Sequence, residues 1–239
     1  MRYLVRLLTY MNFIVSIIME NIYTFRKGVK MTRIYFTRHG ETEWNRQFRF
    51  QGNKNSELTE KGILAAELLS SRIEGIELDC IISSPLKRAY HTAEIVRGSK
   101  SIDIIKDDGF REINLGDFEG MRYDEIKSKR GETLSEIEND PFNNRYPNGE
   151  NLFEFYKRVE KSFKDVIENY RNKNTLIVAH GGTIKCIESY IRNFQINKDW
   201  MGTVVKNCSL SCIEVDEDNN IKEIFYNDTE HLKGSLALS

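Results

Sequence analysis

Short apolar runs alternate with longer amphipathic segments through most of this chain. The short runs are rich in β-branched residues and end at glycine or polar turn residues, which is typical of buried strands. They cover residues 33–37, 79–83, 102–105 and 175–179, and a final pair of strands is predicted at 209–215 and 221–226. Because strands and helical segments alternate, the pattern predicts an α/β layer fold with a mostly parallel sheet.

The helical segments carry recognisable start signals. Thr59 stands in the N-cap position of one helix, and Pro85 stands in the first turn of the next one. Apolar residues recur at helical spacing over 151–171, which predicts one long amphipathic helix. Residues 109–150 lack this periodicity, and we expect them to be irregular, with short helical pieces such as 123–129.

Residues 1–30 differ in composition from the rest of the chain. Their uninterrupted apolar stretch, 7–19, is shorter than the roughly 20 residues that a membrane-spanning helix needs, and the segment has no alanine for a signal-peptide cleavage site. Residues 26–31 can be encoded by a purine-rich ribosome-binding sequence that ends in an ATG start codon. We therefore predict that 1–30 is a translated leader or else a flexible or amphipathic segment, that membrane association is not expected, and that 31–239 is a single domain.

The composition narrows the function further. The formal net charge is -1, so no basic excess indicates nucleic-acid binding, and affinity for an anion would have to come from a local cluster of arginines. The four cysteines include no Cys-x-x-Cys pair. This usage predicts reduced structural thiols in a cytoplasmic protein and no metal site.

Two histidines occupy the same position relative to a predicted strand. His39 and His180 each follow an apolar strand and precede a glycine. Because ligands of open α/β sheets bind at the carboxyl ends of the strands, both imidazoles can face one crevice. Arg38 adjoins His39, and Arg88 lies early in the helix after the second strand, near a helix N-terminus that favours anions. Two guanidinium groups beside a histidine are suited to a phosphate dianion.

Three of the polar candidates have an alternative explanation. Asn45 is either a neutral donor to the phosphate or a helix-cap or turn residue. Glu112 has apolar neighbours, so its carboxyl group is either shielded from water, which suits a general acid, or ion-paired with Arg111. Arg88, taken alone, would be interpreted as a solvated surface charge. Spacing in the sequence does not decide these cases.

Several of these residues belong to motifs that resemble those of a known family. The motifs, in chain order, are Arg38-His39-Gly40-Glu41-Thr42-x-Trp44-Asn45, Leu58-Thr59-Glu60-Lys61-Gly62, Ser83-Ser84-Pro85-Leu86-x-Arg88-Ala89, Glu112 with Gly116, Ala179-His180-Gly181, and Asn227-Asp228-Thr229-x-His231-Leu232. From about residue 31 to 232, the chain resembles the histidine phosphatase superfamily, the phosphoglycerate-mutase-like proteins. The resemblance implies a three-layer α/β/α fold and neither a metal nor an organic cofactor.

The resemblance also implies a role for each site residue. His39 would be the nucleophile that takes the phosphoryl group from a small phosphate ester, and Glu112 would be the proton donor. The phosphate would be surrounded by Arg38, Arg88 and His180, with Asn45 and Gly181 also at the phosphate-binding site.

The motif around Glu112 resembles the phosphatases of that family more than its mutases. Mutases resemble one another in an Arg-His-Tyr-Gly run after the acid, whereas Ile113 and Leu115 stand at the arginine and tyrosine positions here. Gly182 stands where mutases usually carry Asn. The chain is instead similar to α-ribazole phosphatase and broad-specificity phosphatases. We therefore predict a metal-independent phosphomonoesterase acting through phosphohistidine. A cofactor-dependent phosphoglycerate mutase and a non-catalytic phospho-ligand-binding module are the alternatives.

Residues 117–150 are predicted to form a lid over the pocket. Their aromatic and apolar side chains suggest either a partly apolar leaving group or packing of the lid onto the body of the protein. These side chains are Phe118, Met121, Tyr123, Phe142 and Tyr146. A homodimer through the final two strands is compatible with the pattern, which does not decide the oligomeric state.

Overall fold

The computed structural model describes residues 31–193 and 204–233. The predicted leader or amphipathic segment, residues 1–30, lies outside the described residues. Within the described ranges, no helix has the length and apolar character that crossing a membrane requires.

The central sheet contains six strands among the described residues. They are β1 (Thr32–Arg38), β2 (Cys80–Ser83), β3 (Asp103–Lys106), β4 (Asn174–Ala179), β5 (Leu210–Val215) and β6 (Ile221–Asp228). Their order across the sheet is β3-β2-β4-β1-β5-β6. The first four strands pair in parallel, whereas β5 runs antiparallel to β1 and β6 antiparallel to β5. The mostly parallel sheet predicted from the sequence is confirmed.

The helices connect the strands. They are α1 (Glu43–Arg46), α2 (Glu60–Arg72), α3 (Lys87–Arg97), α4 (Tyr123–Asn139), α5 (Leu152–Asn169) and α6 (Gly181–Arg192). Thr59 caps α2 as predicted, because its side chain accepts a hydrogen bond from the Gly62 N–H. The long amphipathic helix is confirmed as α5, with Asn151 as its N-cap.

One helical prediction was wrong in detail, and another was confirmed. Pro85 does not lie in the first turn of α3, which begins at Lys87 and has Leu86 as its N-cap. The predicted helical piece 123–129 is confirmed as the first part of α4, which is interrupted by non-helical backbone angles at Arg130 and continues as a second short helix to Asn139. This helix buries few apolar side chains, so its sequence carries little of the periodicity by which amphipathic helices are predicted.

The sheet separates two apolar clusters, which gives the three-layer α/β/α architecture. Side chains alternate between the two faces of a strand. Ile34 and Phe36 of β1 therefore join the cluster formed with α5 and α6, whereas Tyr35 joins the cluster formed with α2 and α3. Because β2, β4 and β1 are adjacent and parallel, their carboxyl ends meet at one edge of the sheet, where α3 and α6 begin.

The apolar side chains of 117–150 contribute mainly to packing. Phe118 is fully buried, and its ring meets that of Tyr146 edge-on at 5.6 Å. The side chains that pack against the same cluster while partly buried are Met121, Phe142 and Tyr146. Tyr123 is the exposed member of this set. These contacts favour the interpretation that the aromatic residues fix the segment to the body, and its role as a lid stays a prediction.

Candidate active site

The structure brings the two strand-end histidines together. His39 follows β1, and His180 follows β4 and stands in the N-cap position of α6. Their ring centroids lie 5.2 Å apart, and both side chains are buried. The pairing of β1 with β4 places them there, since Arg38 and Ala179 are in register immediately before the two histidines.

His39 is held in one tautomer by its neighbours. Its Nδ1 lies 2.7 Å from the carbonyl oxygen of Gly40, which can only accept, so Nδ1 carries the proton. Its Nε2 accepts a hydrogen bond from Nε of Arg88 at 3.3 Å. Burial, followed by the charges of Arg88 and Arg38, lowers the pKa of His39 well below its ordinary value. The imidazole is therefore neutral at neutral pH, and the electron pair of Nε2 accepts the hydrogen bond from Arg88.

Arg88 lies directly against His39. Its side chain is 2% exposed, and its Nη1 and Nη2 donate to the carbonyl oxygens of Lys54 and Gly52, each at 2.7 Å. Burial lowers its pKa to about 10, which leaves the guanidinium charged at neutral pH. The interpretation of Arg88 as a solvated surface charge is therefore wrong.

Two buried nitrogens near His39 have no hydrogen-bond partner among the described residues, namely Nε of Arg38 and Nδ1 of His180. Other atoms of the same side chains are fixed, because Nη1 of Arg38 donates to the carbonyl of Val205 and Nε2 of His180 bonds Oγ of Ser84, each at 2.8 Å. Buried polar atoms without partners are costly, so both nitrogens are suited to an external ligand rich in acceptor oxygens. In the same described ranges, no group of three or more His, Cys, Asp or Glu could hold a metal ion.

Glu112 is anchored at the start of α6. Its Oε2 accepts from the N–H of Gly182 and its Oε1 from the N–H of Ile113, both at 3.0 Å. Arg111 bonds Asp108 at 2.6 Å, so the alternative of an ion pair between Arg111 and Glu112 is wrong. The carboxyl group is half-buried.

The carboxyl group of Glu112, where it lies, leaves no room for a side chain at position 182. A Cβ atom there would lie 2.4 Å from Oε1 of Glu112, closer than real Cβ contacts come. At Gly181 a Cβ would meet Nε of Arg38 at 3.6 Å, which is ordinary contact. A side chain at position 182 would therefore displace the carboxyl group of Glu112 from the place where it lies.

Asn45 caps a helix. Its Oδ1 accepts from the backbone N–H of Thr42 at 3.2 Å and from the Thr42 hydroxyl at 3.1 Å, in the capping box of α1. The cap alternative is confirmed for this oxygen. The amide Nδ2 is the group that could donate to a phosphate, and that role stays a prediction.

Two side chains that the sequence did not single out fix the backbone at His39. Asn207 donates from Nδ2 to the carbonyl oxygen of His39 at 2.7 Å, and Oγ1 of Thr92 accepts from the Gly40 N–H at 3.0 Å. Neither contact has a signal in the sequence, because Asn207 comes from the segment before β5 and Thr92 from α3. Ser84, the partner of His180, did stand in a recognised motif.

This chain is similar to known proteins of one family. The sequence profile of the histidine phosphatase superfamily (branch 1) matches residues 34–228. Phosphoserine phosphatase 1 of Hydrogenobacter thermophilus is 31% identical over 191 residues, which are 80% of this chain and 90% of that protein. A probable phosphoglycerate mutase GpmB of Escherichia fergusonii is 31% identical over 187 residues, 78% of this chain and 86% of that protein. Among solved structures, Bacillus stearothermophilus YhfR matches with a TM-score of 0.79 and 34% identity, over 84% of this chain and 100% of that one.

Proposed function

This chain belongs to the histidine phosphatase superfamily, branch 1, and we propose that it hydrolyses a small phosphomonoester by way of a phosphohistidine on His39. The observation that carries the proposal is the state of His39, a buried neutral imidazole whose Nε2 electron pair faces the guanidinium of Arg88. Such a nucleophile beside buried cations is suited to attack on a phosphate dianion.

The first proposed step forms a phosphohistidine. The hydrogen bond from Arg88 to Nε2 of His39 breaks, Nε2 attacks phosphorus, a P–N bond forms, and the P–O bond to the leaving group breaks. Glu112 gives its proton to the leaving oxygen, which is typically worth about 10²–10⁴ in rate. The equatorial oxygens are stabilised by Arg38, Arg88 and His180. The unpartnered nitrogens of Arg38 and His180 support this placement of the phosphoryl group.

The second proposed step returns the site to its starting state. Glu112, now a carboxylate, takes a proton from a water molecule as the water oxygen attacks phosphorus. The P–N bond breaks, its electron pair returns to Nε2 of His39, and inorganic phosphate leaves. The hydrogen bond from Nδ1 to Gly40 keeps the ring in place through both steps. None of these steps needs a metal ion or an organic cofactor.

Two structural features favour water over a sugar acid as the phosphoryl acceptor. Ile113 and Leu115, at positions where the family's mutases carry Arg and Tyr, are buried in the apolar core. They offer no polar contact to a bound acid, whose buried polar groups would be left unpaired. Asparagine at position 182, as in those mutases, would collide with Glu112 where it now lies. We therefore infer hydrolysis rather than transfer back to a substrate.

Changing Gly182 to alanine tests whether hydrolysis depends on the position of the Glu112 carboxyl group. The added Cβ would displace the carboxyl group, so hydrolysis of alkyl phosphates should fall about 10²-fold, the scale expected when a catalytic group is misplaced by about 1 Å. The measurement is kcat/KM together with the melting temperature. Gly131→Ala is the control, because no heavy atom lies within 4 Å of a Cβ at that position. Full activity in Gly182→Ala would show that Glu112 is not needed where it lies.

We also propose that the protein acts in the cytoplasm. Its cysteines Cys80, Cys186, Cys208 and Cys212 are free and buried, as is usual in a reducing compartment. The edge position of β6 is compatible with strand pairing in a homodimer, which stays a prediction.

The proposed function is tested by release of inorganic phosphate from a panel of phosphomonoesters with EDTA present. The panel contains p-nitrophenyl phosphate, phosphoserine, 3-phosphoglycerate, sugar phosphates, nucleotides and α-ribazole phosphate. We expect release that EDTA does not inhibit, at rates that rank the substrates. Conversion of 3-phosphoglycerate to its 2-isomer in the presence of bisphosphoglycerate, without phosphate release, would make the protein a mutase. If neither activity is detected, the result would favour a phospho-ligand-binding module.

A further inference from the structure

A carboxylate outside the catalytic group, that of Glu119, is built into the protein near Arg88. The side chain of Glu119 is 8% exposed. Its oxygens accept three backbone N–H groups, from Asn53 at 2.7 Å and from Lys54 and Leu115 at 3.1 Å. A buried carboxylate is costly unless such charge-assisted bonds satisfy it. The carboxylate therefore joins the loop around Asn53 to the segment that precedes α4.

The same loop holds Arg88 from its other side. The carbonyl oxygens of Gly52 and Lys54 accept from the guanidinium at 2.7 Å. The peptide group between Gly52 and Asn53 is shared, since its C=O accepts from Arg88 and its N–H donates to Glu119. These two groups point in opposite directions in a trans peptide. One peptide dipole thus lies between the cation and the anion, and each charge strengthens the hydrogen bond at the other end.

A glycine, Gly52, lets the loop approach the carboxylate of Glu119 closely. Gly52 has a φ of +52°, in the left-handed region that favours glycine. A Cβ atom there would lie 2.1 Å from Oε1 of Glu119, so any other residue would displace the carboxylate. Two features therefore require glycine at position 52, namely the backbone conformation and the lack of space for a Cβ atom. Neither depends on the hydrogen bonds.

We propose that Glu119 is a positioning residue that holds Arg88, and through it the bound phosphate, in the reactive geometry; this inference rests on the proposed function. A carboxylate in direct contact with Arg88 would occupy its donors and repel the phosphate. Here three of the five N–H donors of the guanidinium bind the loop and His39, and the other two are left for phosphate oxygens. Glu119 balances the charge of Arg88 from behind the loop.

This arrangement also ties the predicted lid to the phosphate site. Glu119 lies near the start of 117–150, and the backbone of this segment is hydrogen-bonded to both the N–H and the C=O of Phe50. The Gly120 N–H donates to the Phe50 carbonyl at 2.7 Å, and the Phe50 N–H donates to the Met121 carbonyl at 2.9 Å. A change at Glu119 should therefore loosen Arg88 and the start of this segment together.

The test is Glu119→Gln in the full chain, which keeps the size of the side chain and removes its charge. Binding of inorganic phosphate is measured by calorimetry, and kcat and KM are measured with p-nitrophenyl phosphate. We expect phosphate affinity and kcat/KM to fall about 10- to 100-fold. In an Arg88→Ala background the same change should have little further effect, because the group that Glu119 positions is gone.

A matched control is Glu125→Gln. Glu125 is also a carboxylate of the predicted lid that accepts a backbone N–H, from Arg122 at 2.8 Å, and it forms an ion pair with Arg49 at 3.2 Å. Among the described residues it has no hydrogen bond to 52–54, the residues that hold Arg88. This variant should bind phosphate as the wild type does. If it lost affinity as Glu119→Gln does, the effect would belong to the lid in general, and the inference would fail.

The remaining outcomes distinguish a positioning role of Glu119 from an effect of the substitution on the stability of the fold. Equal losses in the two Arg88 backgrounds, or unchanged affinity in Glu119→Gln, would overturn the inference. Melting temperatures identify any variant that fails to fold, and Glu119→Asp, which keeps the charge but has a shorter reach, then enters the same comparison. Wild-type protein that neither binds phosphate nor releases it from the ester would overturn the proposed function itself, and the inference with it.

Discussion

Replacing His39 with alanine should reduce turnover of every phosphomonoester by about 10⁴-fold or more. The variant lacks Nε2, the atom proposed to form the P–N bond, and the arginines around it cannot serve as nucleophiles. The measurement is steady-state phosphate release from p-nitrophenyl phosphate. Wild-type protein quenched during turnover should also carry a phosphate label that is stable in base and labile in acid, as a phosphohistidine is, and the variant should carry none.

His91→Ala is the matched control for this change. His91 lies on α3, the helix that carries Arg88, and is partly buried without belonging to the site. Its variant should turn over substrate at close to the wild-type rate. Substantial turnover by a folded His39→Ala protein would exclude the covalent route and leave direct attack by water.

Replacing Glu112 with glutamine should slow hydrolysis of alkyl phosphates by about 10²–10⁴-fold and that of aryl phosphates much less. Alkoxide leaving groups need a proton as they depart, whereas a nitrophenolate is stable without one. Each oxygen of Glu112 accepts one backbone N–H and has a second electron pair that can hold a proton. The measurement compares kcat/KM for an alkyl and an aryl ester in the same variant.

The control for Glu112 is an exposed carboxylate away from the site. Glu94 lies on the exposed side of α3, and Glu94→Gln should leave the ratio of alkyl to aryl activity unchanged. Equal losses on both esters in Glu112→Gln would argue that Glu112 organises the start of α6, through Gly182, rather than supplying a proton.

The sequence predicted most of the fold because the strands and amphipathic helices carry their own signals. A strand buried on both faces, such as β4, is apolar over most of its length, and α5 presents one apolar stripe, so both patterns are visible without knowledge of their neighbours. The part of α4 after Arg130 was not identified, because α4 as a whole lacks such a stripe. It is held by Ile126, Leu134 and Ile137, which are too few and too widely spaced to form a continuous stripe.

The candidate site was predictable where its chemistry is local. His39 and His180 each stand between a strand and a glycine, and Arg38 is adjacent to His39, so these positions could be named from spacing alone. For Arg88, Asn45 and Glu112, the residues nearby in sequence allowed two explanations each. The tertiary contacts decided for Arg88, which is buried against His39, and for Glu112, which has no bond to Arg111.

By itself, the sequence determined the α/β layer fold and the presence of the histidine motif of the family, because both follow from residues close together in the chain. Only the tertiary structure decided how the proposed catalytic groups are held. Glu112 depends on a backbone N–H 70 positions away, and the carbonyl of His39 on a side chain 168 positions away. The glycines at 52 and 182 are required by carboxylates that approach them across the fold. Contacts of this kind depend on how the strands are ordered in the sheet, and no local pattern of residue types encodes them.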